Sequence, residues 1–90
     1  MIKTEIMKFD LLQALSKVVQ SRREQLDLSQ EEVAGRAGLH RTYISDIERG
    51  ARNLSLRSLS RLACALEISV SELVRLAEIP LRGDCATHNN

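Results

Sequence analysis

The chain is short of aromatic residues, glycine and proline, and each shortage excludes a class of protein. Only 2% of its 90 residues are aromatic, so a core must be built from Leu, Ile, Val and Ala, as in helix bundles. Four glycines and one proline exclude collagen-like and low-complexity proteins. No apolar run approaches the ~20 residues of a membrane span, and no charged-then-apolar leader indicates export.

Cysteine and histidine are also scarce, and their positions do not indicate chemistry. Cys64 falls on a helical pattern, which predicts a small core residue, and Cys85 lies in a polar segment as an incidental thiol. Neither these residues nor the two histidines have the spacing of zinc ligands. Gly-rich phosphate loops and nucleophile elbows are missing as well. We therefore predict a cytoplasmic protein that is not an enzyme and needs no metal or cofactor.

Positive charge is concentrated in one stretch, although the formal net charge is only +1. Residues 36–61 carry six arginines against two acidic residues, a net charge of +4, whereas residues 1–35 and 62–90 are net negative. Arginine is suited to phosphate groups and to the guanine edge. The distribution favours nucleic-acid binding, with an ordinary solvated surface as the alternative.

Apolar residues at helical spacing predict five helices and an all-α domain without strands. We expect the first helix to begin at the N-cap Asp10, with residues 1–9 either extending it or fraying, and the fifth to end at Pro80. Ser29 with Glu32, and Ser69 with Glu72, have the spacing of capping boxes. The predicted helices cover about residues 10–25, 29–37, 41–49, 56–66 and 69–79.

Residues 29–50 carry the pattern of a helix-turn-helix. Two short predicted helices meet at residues 37–40, where Gly38 suits a tight turn because it has no Cβ. Ile44 and Ile47 are spaced to lock the second helix of the pair against the rest of the domain. In a helix-turn-helix this second helix lies in the major groove of DNA.

The resemblance to a known family lies in the segment SQEEVAGRAGLHRTYISDIERGARNLSLRSLSRLACALEISVSELVRLAE. It is similar to the lambda-repressor-like, Cro-type regulators, also called the xenobiotic-response-element family, over about residues 18–78. Within that family, LHRTYISDIERGARNLSL most resembles the controller proteins of restriction–modification systems. The resemblance implies a compact five-helix domain over residues 10–79. Outside it, residues 1–9 show little pattern and are expected to be an N-terminal extension, and the polar residues 80–90 lack periodicity and are expected to be a disordered tail. It also implies a homodimeric transcriptional regulator whose partners are operator DNA and, as a candidate, RNA polymerase.

The resemblance further implies which side chains read bases from the outer face of the third helix. They are Arg41, Thr42, Ser45, Asp46 and His40. Arg41 is the best candidate for a bidentate contact to guanine, worth ~1–3 kcal/mol of discrimination. Asp46 alternatively orients Arg41, and His40 alternatively caps the helix, since family members often carry Asp there.

Phosphate contacts are implied on either side of this helix, where they supply affinity and register rather than sequence preference. The matching residues are Ser29, Gln30, Tyr43, Arg52 and Asn53. For Tyr43 the alternative is packing against the fourth helix, and for Asn53 it is ordinary turn chemistry.

Two further sets of residues follow from the resemblance. Arg23 and Glu48 match a structural brace between the first and third helices, with Arg22 as the alternative partner. The dimer interface is expected on the last two helices, with core filling as the alternative for each member: Ile68, Val70, Leu73 and Leu76. An antitoxin-type protein of the same fold, binding a toxin as well as DNA, is the alternative function.

Overall fold

A computed structural model describes the backbone of residues 2–89 and the side chains of residues 11–79, and within these limits the chain forms five helices and no strands. The helices are α1 (Ile2–Gln25), α2 (Gln30–Ala37), α3 (Arg41–Glu48), α4 (Leu56–Ala65) and α5 (Val70–Asn89). The predicted all-α fold is confirmed. In the part of the chain described, no helix is both long enough and apolar enough to span a membrane.

Helices α1 and α5 are longer than the sequence pattern predicts. Helix α1 begins at Ile2, so Asp10 lies inside it and is not the N-cap; no glycine or proline precedes Asp10 to interrupt the helix. Helix α5 continues through Pro80 to Asn89, which corrects the expected helix end and the expected disordered tail. A proline removes one backbone hydrogen bond, at a cost of ~3 kcal/mol, but a helix can continue past it.

The core lies where all five helices meet, and α3 is anchored in it by Ile44 and Ile47, as predicted. Helix α1 packs against α5 and α3, and α2 packs against α3 and α4. Each large aliphatic side chain buried in this way contributes ~1.5–3 kcal/mol. The largest fully buried side chains are Val19, Val33, Ile44, Ile47, Leu62, Leu66 and Leu73.

Helix α2 is fixed at both ends by the residues that the sequence indicates. The amide of Glu32 donates to Ser29 Oγ at 3.0 Å, and the amide of Ser29 donates to Glu32 Oε1 at 2.8 Å. Hydrogen bonding of the Glu32 carboxylate to the backbone amide of Ser29, and secondly to its side chain, lowers the pKa of Glu32 below its ordinary value. At the other end Gly38 has φ +68°, and its amide donates to the carbonyl of Ala34. The turn between α2 and α3 is therefore well defined.

The second predicted capping box, at the start of α5, is only half present. The amide of Glu72 donates to Ser69 Oγ at 3.0 Å, so Ser69 is the N-terminal cap. The carboxylate of Glu72 instead bonds the guanidinium of Arg75, one turn further along the helix. An arginine at i+3 competes with the backbone amide for the same carboxylate.

Gly50 follows α3 and lies directly against α1. Its φ is +68°, a value that residues with a Cβ rarely adopt. A Cβ at this position would lie 3.0 Å from Gln13 Nε2 and 3.2 Å from Ser16 Oγ. Since Ser16 is buried and bonded to the carbonyl of Leu12, it has little room to move away. The end of α3 therefore approaches α1 at a distance that only glycine allows.

We predict that Gly50→Ala lowers the free energy of unfolding by about 1–2 kcal/mol, through left-handed strain and the close contact with α1. Gly35→Ala is the matched control, because Gly35 is in the exposed interior of α2 and its Cβ would have open space. That substitution should stabilise the protein by about 0.5–1 kcal/mol. Urea unfolding at one fixed protein concentration measures both, and a Gly50→Ala protein as stable as Gly35→Ala would contradict the close approach.

Candidate nucleic-acid interface

Helix α3 presents one face to solvent, and it is the face on which the sequence places the base-reading residues. Arg41 and Thr42 are exposed at the start of the helix, and Ser45 is half-buried one turn later. Ile44 and Ile47 point the opposite way, into the core. The arrangement leaves a donor-rich surface at the N-terminal end of a rigidly held helix.

His40 caps this helix, which is the alternative that the sequence left open. Its Nδ1 accepts a hydrogen bond from the amide of Thr42 at 3.2 Å. Because Nδ1 acts as the acceptor, the ring proton lies on Nε2, which remains a donor. The imidazole is exposed, so capping leaves this second nitrogen at the surface beside Arg41.

Asp46 does not orient Arg41; it holds the two arginines that follow α3. Arg49 Nη2 donates to Oδ1 of Asp46, and Arg52 Nη2 donates to Oδ2 at 3.1 Å. These hydrogen bonds, first that of Arg49 and then that of Arg52, lower the pKa of Asp46. The guanidinium carbon of Arg52 lies 4.7 Å from the centre of the half-buried Tyr43 ring. We call these four residues, Tyr43, Asp46, Arg49 and Arg52, the arginine–aspartate cluster.

Sequence reasoning gave Arg49 no individual role, although a signal for one was present. Asp46 and Arg49 are three residues apart on a helix, the spacing at which opposite charges meet on one face. Arg52 joins them because the chain turns back after α3, where the amide of Ala51 donates to the carbonyl of Asp46 at 2.9 Å. That turn depends on Gly50, so the spacing of charges along the sequence does not indicate the contact between Asp46 and Arg52.

The predicted brace between α1 and α3 is present. Arg23 Nε donates to Glu48 Oε2 at 2.6 Å, and Arg23 Nη2 donates to Oε1 at 3.1 Å. The side chains of Arg23 and Glu48 are only 14% and 5% exposed. Hydrogen bonding to Glu48 raises the pKa of Arg23, and the remaining Nη1 donates to the carbonyl of Leu28 at 2.8 Å.

The brace has a third member that sequence reasoning missed. Gln30 Nε2 donates to Glu48 Oε1 at 3.1 Å, so one carboxylate of α3 is held by α1 and α2 together. Gln30 is therefore engaged within the protein, and its predicted phosphate contact stays a prediction, as do those of Ser29 and Asn53. Asn53 is exposed in the loop before α4, and Ser29 is exposed at the start of α2.

Arg22 is not a partner of Glu48; it holds the turn between α4 and α5. Its Nε donates to the carbonyl of Leu66 at 2.9 Å, and its Nη2 donates to that of Glu67 at 3.1 Å. Arg36 of α2 binds the same turn through the carbonyl of Ala65 at 3.3 Å and the carboxylate of Glu67 at 3.1 Å. One arginine of the basic stretch therefore serves the fold.

The residues predicted for a dimer interface divide into two groups. Ile68, Val70 and Leu76 are half-buried, and an open groove of about 600 Å³ between α1 and α5 is lined in part by Ile68 and Leu76. Leu73 is 0% exposed within the single chain, so it fills the core and has no surface for a second copy. For Leu73 the core-filling alternative is correct.

Cys64 lies on the exposed side of α4, which corrects its predicted place in the core. The buried positions of this helix go to its neighbours Leu62, Ala63 and Ala65. Cys85 lies outside the described side chains. No three His, Cys, Asp or Glu residues come together as a possible metal site among the side chains that the structure describes.

We predict that Glu48→Ala lowers the free energy of unfolding by about 2–4 kcal/mol, because it leaves the Arg23 guanidinium partly buried without its partner. Glu72→Ala is the matched control, since Glu72 pairs with Arg75 at the same 2.6 Å but in an exposed position. Its removal should change stability little. Thermal and urea unfolding measure both variants, and an equal loss in the two would overturn the role of Glu48 as a brace.

Comparison with known proteins agrees with this geometry. The family described as helix-turn-helix matches residues 19–73. Control protein C.BamHI of Bacillus amyloliquefaciens is 44% identical over 69 residues, which cover 77% of this chain and 82% of that protein. Control protein C.SmaI of Serratia marcescens is 44% identical over 70 residues, covering 78% and 83%. The crystal structure of the restriction–modification controller protein C.AhdI from Aeromonas hydrophila superposes with a TM-score of 0.67 at 40% identity, over 69% of this chain and 94% of that one.

Proposed function

The chain belongs to the helix-turn-helix family of DNA-binding transcriptional regulators, and on that premise we propose that it is a restriction–modification controller protein that binds its operator as a homodimer. The observation that carries the proposal is the outer face of α3. Arg41 and Thr42 are exposed there, on a helix whose opposite side is anchored by Ile44 and Ile47. A rigid, exposed helix with arginine at its N-terminal end suits the major groove.

In the proposed complex, α3 enters the groove with its N-terminal end towards the bases. Arg41 donates a two-pronged hydrogen bond to a guanine, which is the commonest specific contact of this kind. Thr42 and Ser45 offer hydroxyl groups to the neighbouring bases, and His40 offers Nε2–H from the cap position. These contacts select sequence, because base edges differ in their donors and acceptors.

Phosphate groups on both sides of the groove supply most of the affinity in this proposal. Arg52 and Asn53 lie after α3, and Ser29 and Gln30 lie at the start of α2. Tyr43 supports Arg52 through its ring. Contacts of this kind fix the register of the protein on DNA without reading bases, so their number sets the salt dependence.

A homodimer is proposed because one recognition helix is too short to define an operator. Helix α3 has eight residues and is about 12 Å long, enough for only a few base pairs. A two-fold dimer places two such helices about 34 Å apart on one face of DNA. We assign the contact to the half-buried Val70 and to the groove between α1 and α5 that Ile68 and Leu76 line in part. In the cytoplasm, the bound dimer either blocks RNA polymerase or recruits it.

The relatives compared above are controller proteins, and they lend no support to the antitoxin alternative. DNase footprinting on the DNA upstream of the chain's own gene tests the proposal. We expect two protected half-sites of related sequence, in opposite orientation and about one helical turn apart. Protection of a single half-site, or uniform binding without a footprint, would contradict it.

We predict that Arg41→Ala weakens operator binding about tenfold to a hundredfold and relaxes the preference at one base pair of each half-site, as loss of a bidentate contact requires. Arg61→Ala is the control, because Arg61 is an exposed arginine of α4 in the same basic stretch. It should leave the preferred sequence unchanged. Selection of bound duplexes from a randomised pool measures both, and an unaltered preferred sequence for Arg41→Ala would rule out its role.

A further inference from the structure

The arginine–aspartate cluster contains a negative charge on the face that is proposed to meet DNA. Asp46 lies on the outer face of α3, between the helix and the loop that follows. Its side chain is 17% exposed, whereas those of Arg49 and Arg52 are 66% and 49% exposed. A carboxylate with two guanidinium groups reaching over it is therefore part of the surface. Its charge and its hydrogen bonds affect how DNA binds there.

The two arginines each use a different oxygen of this carboxylate. Arg49 reaches Oδ1 from the end of α3, and Arg52 reaches Oδ2 from the loop. A carboxylate and a phosphate present the same kind of acceptor to a guanidinium group, so the carboxylate holds the positions that a phosphate oxygen can take. The bonds to both arginines keep the pKa of Asp46 below its ordinary value, so the side chain is ionised at neutral pH.

Arg52 is also held from a second side. Its guanidinium lies over the Tyr43 ring at 4.7 Å, while Asp46 binds it at 3.1 Å. With two supports the side chain has a defined direction before any DNA binds. This direction reduces the conformational entropy that Arg52 loses on binding, but only if a phosphate lies where its guanidinium already points. On operator DNA in register the phosphate position is fixed; on other DNA it is not.

We propose that Asp46 is a specificity-determining residue that suppresses binding to non-operator DNA by competing with phosphate for Arg49 and Arg52. On any DNA the carboxylate weakens binding, because it occupies guanidinium donors that would otherwise bind phosphate. On the operator this cost is offset, because Asp46 has already directed Arg52 towards its phosphate. On other sequences there is no such compensation, so the residue discriminates by competing with phosphate for the arginines, in addition to the attraction that the base contacts supply.

This inference rests on the proposed function, and Asp46→Asn tests it because the change keeps the shape and removes the charge. The probes are two labelled duplexes of equal length and composition, one carrying the footprinted operator and one scrambled. Affinity is measured by fluorescence anisotropy between about 50 and 200 mM salt. Circular dichroism melting confirms that each variant is folded.

We expect Asp46→Asn to bind scrambled DNA about fivefold to tenfold more tightly. The slope of log affinity against log salt concentration should become steeper by the amount that corresponds to about one phosphate contact. Operator affinity should change by less than about threefold, so the ratio of the two affinities falls. Asp46→Glu, which restores the charge, should return scrambled-DNA binding to the level of the unaltered protein.

Glu67→Gln is the matched control for charge. Glu67 also pairs with an exposed arginine, Arg36, but it lies after the last turn of α4, whereas the DNA-facing loop leads into the first turn. Helix α4 has ten residues and is about 15 Å long, which separates the two ends. This variant should leave both affinities close to those of the unaltered protein.

A triple variant shows whether Asp46 acts through the two arginines. In a background of Arg49→Ala and Arg52→Ala, adding Asp46→Asn should produce no further gain on scrambled DNA. An equal gain in that background, or an equal gain for Glu67→Gln, would overturn the inference and indicate a general charge effect. If the unaltered protein does not distinguish operator from scrambled DNA, the proposed function fails, and the inference with it.

Discussion

One carboxylate joins α3 to two other helices. Glu48 stands at the end of this helix and is bound at once by Arg23 of α1 and Gln30 of α2. A buried ion pair of this kind contributes little net stability compared with a well-packed apolar contact, but it is strongly directional. Ile44 and Ile47 bury their side chains in the core, and the directional bonds to Glu48 restrict the angle at which the outer face of α3 is presented.

The parts of this architecture that the sequence predicts are those encoded locally. The capping box of Ser29 and Glu32, the turn at Gly38 and the inward isoleucines depend on residues a few positions apart, and each is present in the structure. The brace is a long-range contact, and it was predicted from the family resemblance rather than from the spacing of charges.

Some local predictions fail, such as the N-cap at Asp10 and the helix end at Pro80, and others fail on packing between distant segments. Leu73 looks like an interface residue by its apolar character, and only the tertiary fold shows that α5 turns it into the core. Cys64 looks like a core residue, yet α4 turns it outwards. The charge count of residues 36–61 also overstates the number of arginine side chains that are free to contact DNA. Arg36 is bound to the turn before α5, and Asp46 holds Arg49 and Arg52.

The grip of Arg22 and Arg36 on the turn before α5 has a geometric consequence for the proposed dimer. It ties the helix that carries the dimer contact to α1 and α2, and so limits pivoting between the contact and the recognition helix. The distance between the two recognition helices of the proposed dimer is then set by the protein. Each added base pair displaces a half-site by about 3.4 Å and rotates it by roughly 35°. A scaffold tied in this way has little means of following such a change, so the proposed dimer selects the spacer of its operator as well as its bases.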